Sequence, residues 1–235
     1  MSGWTAKRFW KEALVDRVDG GYAVRLDGRP VKTPAKTPLV LPTEQMAQAV
    51  AAEWDAQTGK VRPETMPFTR AANAALDKVT PQFDEVVGLL AAYGETDLLC
   101  YRAIGPVELV ARQAQAWDPL LDWVATAQGA PLLATAGVIH IAQPEPSLAR
   151  LTARVAGLTP FQLTGFHDLV AISGSLVLAL AVTDERLDAA EAWRLSRLDE
   201  HWQAELWGRD DEADASEAVR YAGFLQAERF YRFSR

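Results

Sequence analysis

Few residues in this chain have the types and spacing that chemistry asks for. The single cysteine, Cys100, stands in "DLLCYRA" (97–103), between a leucine pair and a Tyr–Arg pair. A nucleophilic Cys100 would need an accessible thiolate and a neighbouring base. The three histidines, His140, His167 and His201, fall in separate segments, and no spacing ties any of them to Cys100. The flanking leucines and aromatic favour a half-buried thiol that acts as a small hydrophobe. "VAISGSLVL" offers Ser173 and Ser175 but lacks the Gly-x-Ser-x-Gly elbow between strand and helix. Within an apolar helical run its small residues favour close packing or a local kink. His167 and Asp168 are adjacent, and neighbours on a helix point apart. His201 and Glu205, four apart, would share a helix face; without a further ligand this pattern favours a surface pair over a metal site. No Walker A loop and no Gly-x-Gly-x-x-Gly occurs. No metal, cofactor or small-molecule substrate is expected.

Composition narrows the classes further. Of 235 residues, 49% are hydrophobic and 23% charged, the balance of a globular chain with a real core. One cysteine excludes an intramolecular disulfide framework. Twelve acids and four arginines between 184 and 217 give that segment −8 of the chain's net −7, leaving +1 elsewhere. With no basic stripe to neutralise phosphates, no nucleic-acid partner is expected, and a basic protein surface would suit the acidic segment better. The eight tryptophans supply buried area, with some available to a partner-binding face. The start of the chain lacks the apolar core of a signal peptide. The longest apolar run, 169–182, is broken by "SGS" and falls short of the about 20 residues a bilayer span needs. The expectation is a cytoplasmic protein with no membrane insertion.

The elements that must position these residues follow from periodicity. "GYAVRLDG" alternates with period two, and Asp–Gly turns flank it, which predicts strands over 9–17, 22–26, 30–32 and 39–41. The prolines at 30, 34, 38 and 42 confine the last pieces to edges. Thr43 can cap a helix carrying Met46, Ala49, Val50 and Trp54 that stops at Gly59. Helical patterns follow over 69–79, 81–93, 106–127, 146–156, 160–182, 188–207 and 211–231. On 188–207 the stripe Leu195, Leu198, Trp202 and Leu206 is predicted buried. Trp207–Gly208 should end that helix, and the acids 210–214 complement the dipole of the next one. Asp97 can cap or bond backbone, with Leu98, Leu99 and Tyr101 anchoring the junction. The fold class is α+β: a small N-terminal β-meander/helix domain (1–78) and an all-helical C-terminal domain (79–235). No low-complexity linker separates them, so the two are expected to pack together.

Several blocks carry a resemblance when taken in order: "RFWKEALV", "YAVRLDGRPVKTPAKTPLVLPT", "AAEWDAQ", "VRPETMPFTRAANAALDKV", "TDLLCYRA", "WDPLLDW", "GSLVLALAV" and "SRLDEHWQAELWGRDDEA". From about residue 8 to 230 the chain resembles the chaperone of the F-type ATP synthase α subunit, the ATP-twelve family, in its bacterial form. The resemblance implies an assembly factor rather than an enzyme. It would hold the unassembled α subunit of the catalytic head until a β subunit replaces it. It also implies a bacterial cytoplasm here and a mitochondrial matrix for eukaryotic relatives. The family's C-terminal block holds an essential acid. The matching block "DEHWQAELWGRDDEA" carries over Glu200, Glu205, Trp207, Gly208, Asp210 and Glu212 as partner-binding positions. Arg209 departs from the pattern, which tends to an acid there. The alternative is a small enzyme using Cys100 or His167 in a cleft between the two domains.

Overall fold

The structure, a computed structural model, describes residues 7–235; Trp4 and the opening residues read above for a signal peptide lie outside that range. Four strands form one antiparallel sheet: β1 (Ala13–Val18), β2 (Gly21–Leu26), β3 (Arg29–Pro30) and β4 (Val40–Leu41). β1 pairs along the whole of β2, from Ala13↔Leu26 to Val18↔Gly21, while β3 and β4 pair with opposite ends of β2. Asp27 and Gly28 turn the chain with φ of 47° and 80°, the double left-handed geometry that follows hairpin twist. β1 begins later than the predicted 9–17. The Lys11 and Glu12 amides donate to the Asp27 carboxylate instead of to a strand.

α1 (Glu44–Asp55) starts where Thr43 Oγ1 accepts from the Met46 amide at 3.1 Å, and it packs on β1 and β2. α2 (Pro67–Ala74) runs on through a π-helical turn, Ala75–Val79. Its first free amides, Phe68 and Thr69, donate to the Glu53 carboxylate at 2.6 and 2.8 Å, so a side chain of α1 caps it. Trp10, Met46, Val50, Trp54 and Phe68 fill this core, with the Trp10 and Trp54 rings edge-on at 5.2 Å.

Helices dominate the rest: α3 (Phe83–Ala91), α4 (Val107–Ala127), α5 (Glu145–Ala156), α6 (Pro160–Ser173), α7 (Leu176–Thr183), α8 (Ala189–Ser196), α9 (Leu198–Trp207) and α10 (Asp211–Phe233). Among the described residues, no helix is long and apolar enough to cross a membrane. A short parallel pair that periodicity does not reveal, β5 (Tyr101–Arg102) with β6 (Thr135–Ala136), joins two loops. The predicted helix 160–182 is two helices, α6 and α7. The chain breaks at Gly174, and Ser175 Oγ accepts from the Leu178 amide to begin α7. The predicted helix 188–207 likewise divides at Arg197 into α8 and α9.

α7 is apolar on every side and fully buried, packed against α4 and α8. Asp97, wholly buried, ties it down. Its carboxylate accepts from the Leu99 amide at 3.0 Å, the Val177 amide at 3.0 Å and the Ser175 hydroxyl at 2.8 Å. Burial pushes the Asp97 carboxyl up from its ordinary value, against the pull of those donors.

The chain forms two compact units. One runs to Phe83 and takes in Thr159–Gly165 and Arg229–Arg235; the other comprises Asp84–Leu158 and Phe166–Glu228. The units are thus discontinuous, unlike the contiguous segments 1–78 and 79–235. In the first unit the Phe68 ring lies 6.0 Å from Phe230 and 5.3 Å from Phe233, and the Phe161 ring lies 6.3 Å from Phe230, so the end of the chain completes the N-terminal core.

Candidate functional site

The C-terminal block of the resemblance lies on α9 and the start of α10. Burial falls steadily along α9. Leu198 is 5% exposed, Trp202 half-buried, Leu206 56% exposed and Trp207 82% exposed. The predicted buried stripe therefore holds for Leu195 and Leu198 and fails at Leu206, because the last turn of α9 projects from the core. Gly208 ends the helix at φ +92°, ψ 166°, a conformation that a side chain would strain.

Polar contacts from other elements fix this face. α4 holds both α8 and α9: the Trp117 ring nitrogen donates to the Leu195 carbonyl of α8 at 3.1 Å, and Gln113 Nε2 donates to Asp199 of α9 at 2.7 Å. Arg112 donates from one guanidinium nitrogen to both Glu205 oxygens, at 2.8 and 2.9 Å, and stacks 4.7 Å above the Trp202 ring. Arg197 meets Glu200 at 2.6 Å within the helix. Across the turn, Asp210 accepts from the Ala213 amide at 2.8 Å and caps α10, while Arg209 grips the Asp214 carboxylate. His201 pairs with Glu217 at 2.8 Å rather than with Glu205. The pattern that hinted at a metal thus resolves into two separate pairs, one exposed and one half-buried.

All six carried-over residues, Glu200, Glu205, Trp207, Gly208, Asp210 and Glu212, are exposed and lie within residues 198–212. Their roles differ. Glu200 and Glu205 are pre-paired with arginines, Asp210 is a cap and Gly208 a helix stop. Glu212 has no hydrogen-bond or ion-pair partner among the described residues. Arg112 holds the Glu205 carboxyl below the usual carboxylate range, and Arg209 does the same to Asp214, so both stay ionised near neutrality. Exposed pairs of this kind add little to stability.

The catalytic candidates lie elsewhere. Cys100 is fully buried, and burial reinforced by the Asp97 charge pushes its thiol up to about 12. At neutral pH it is a packed, protonated thiol. His167 and Asp168 do touch, Nδ1 to Oδ1 at 2.9 Å, contrary to the expectation that adjacent side chains point apart. Both side chains reach the surface, where they meet, and the bond raises the His167 pKa. Sequence reasoning missed Arg112, which lies 93 residues from Glu205 and has no local signal.

A family model described as "ATP12 chaperone protein" matches residues 7–125. The crystal structure of Atp12 from Paracoccus denitrificans is 52% identical, with 98% of this chain and 99% of that one covered at a TM-score of 0.95. A form of that protein with one aspartate replaced by lysine fits equally well, at a TM-score of 0.95. A structure from Agrobacterium tumefaciens is 40% identical over 97% of this chain and 86% of its own, with a TM-score of 0.93. Among curated proteins, the mitochondrial protein atp12 of Schizosaccharomyces pombe is 26% identical over 219 residues, 88% of this chain and 75% of its own length. The α+β fold expected from the sequence matches these structures. With its N-terminal half matched to the family model and nearly its whole length superposed on a 52% identical relative, this chain belongs to the ATP12 chaperone family and is a chaperone of ATP synthase assembly.

Proposed function

We propose that the chain binds the unassembled α subunit of the F-type ATP synthase catalytic head and shields its subunit interface until a β subunit takes its place. It acts in the bacterial cytoplasm as a binding protein and not as a catalyst. A free α subunit exposes apolar surface that it later buries against β, and such surface aggregates. A chaperone for it must bind firmly yet be displaceable, which suits a moderate, partly polar interface. The observation that carries the reading is Trp207, 82% exposed at the projecting end of α9 and bordered by exposed acids. An exposed tryptophan suits an interface, because binding hot spots are enriched in this residue. The buried, protonated Cys100 weighs against the alternative that makes it a nucleophile.

The test immobilises the full chain. It should capture purified α subunit and leave assembled catalytic head in solution, and added β subunit should release the captured α. Folded chain that ignores freshly prepared α sinks the proposal.

A further inference from the structure

Four aliphatic side chains stand in water in one part of the second unit. Ile104 is 85% exposed, Val107 73%, Val138 95% and Ile139 78%. The parallel pairing Tyr101↔Thr135 and Arg102↔Ala136 brings their loops side by side, and the Gly137 amide extends it by donating to the Arg102 carbonyl at 2.8 Å. A Cβ placed on Gly137 would stand 3.5 Å from Ile104 Cγ2, so Ile104 lies directly against the loop that carries Val138 and Ile139.

That loop is braced. His140 Nδ1 lies 3.2 Å from the Tyr101 hydroxyl, and its Nε2 lies 3.2 Å from the Glu95 carboxylate. Downstream, Gln143 accepts from the Leu133 amide at 2.7 Å and donates to the Leu133 carbonyl at 2.9 Å. Single exposed aliphatics are ordinary, whereas a contiguous group marks a place of association. Because the loop is already ordered, little further entropy is lost when a partner covers it.

We infer that this knuckle is a second docking element for the client, taking an aliphatic strip of the unassembled α subunit that is bordered by lysine or arginine side chains; the inference rests on the function proposed above. Charge selects that occupant. Residues 130–149 contain no lysine or arginine. Glu108, exposed, follows Val107, while the nearby cation Arg102 is turned to Asp118 at 2.7 Å. A second copy would bring further carboxylates at Glu95 and Glu108, with no lysine or arginine from residues 130–149 to meet them. A basic-rimmed partner meets complementary charge instead. The helix that carries Val107 also meets the α9 face. Val107 and Arg112 are separated by about 7.5 Å of helix rise on α4, and Arg112 holds Glu205.

The experiment titrates purified α subunit into the full chain and into its Ile104→Glu/Val138→Glu variant, after circular dichroism and the thermal midpoint have shown both to be folded. If the glutamates lower the midpoint, Ile104→Ser with Val138→Ser provides the same comparison. The inference expects the variant to bind α at least about tenfold more weakly. Equal affinities overturn the docking role and leave the proposed function standing. Native chain that binds no α overturns both. A native dimer that the substitutions split, with α affinity unchanged, assigns the knuckle to a second copy and likewise overturns the inference.

Discussion

The Asp97 knot and the end of α9 both sit in the second unit and both use carboxylates, to opposite ends. Asp97 is wholly buried, and each donor that points at it is satisfied. It fixes the start of α7 and the turn after residue 97. Glu200, Glu205 and Glu212 are exposed and pair with an arginine or with nothing described. A buried charge is tolerated only when fully hydrogen-bonded, and its loss is a loss of fold. An exposed one can be lost without harm to the fold, which leaves it free to serve a partner. On the function proposed above, stability and binding in this chaperone fall to separate residues. Substitutions on either side can break that separation.

The largest effect belongs to Asp97→Ala. It strands two buried amides and a hydroxyl, and should cost about 3 kcal/mol, read as a lower urea midpoint at unchanged slope. Its pH dependence has a definite sign. Because burial raises the Asp97 pKa above 3.8, the folded chain holds that proton more tightly than the unfolded chain does. The stabilisation from protonation is complete below the ordinary value and is lost as pH rises through the folded-state pKa. The deficit of the variant should therefore narrow as pH increases. Once folded at low temperature, Asp97→Ala should still bind α.

Trp207→Ala comes next and should act the other way. The thermal midpoint should stay within error, while α affinity falls by about 2 kcal/mol, roughly 30-fold. Cys100→Ala should cost about 1 kcal/mol through lost packing and leave binding intact. In the native chain Cys100 should resist alkylation at pH 8 and react only in denaturant. The smallest effect is expected for Glu205→Gln. It should leave the unfolding midpoint unchanged and weaken α binding slightly, by an amount that shrinks with added salt.

Much of this contrast could be read from the sequence, and the gaps have physical causes. The β2 alternation, the Asp27–Gly28 turn, the Thr43 cap and the Gly208 stop are local signals, and local signals survive folding. Asp97 could be read as a cap, but not as the link to Ser175 and Val177, which depends on residues nearly 80 positions away. Leu206 falls on the predicted stripe yet is exposed, because helical spacing identifies a face without telling how far a core extends along it. The knuckle is hidden from the sequence for the same reason. Ile104, Val138 and Ile139 look like core residues by type, and only the β5–β6 pairing shows them turned outward together. His167–Asp168 shows that adjacency does not forbid contact when both side chains reach into solvent.

If the projecting end of α9 holds the free α subunit without contributing to the fold, α affinity and thermal midpoint separate in Trp207→Ala. Measured side by side with the native chain, that variant should show a large loss of affinity at an unchanged midpoint. Unaltered affinity, or a loss that merely tracks a fallen midpoint, would contradict it.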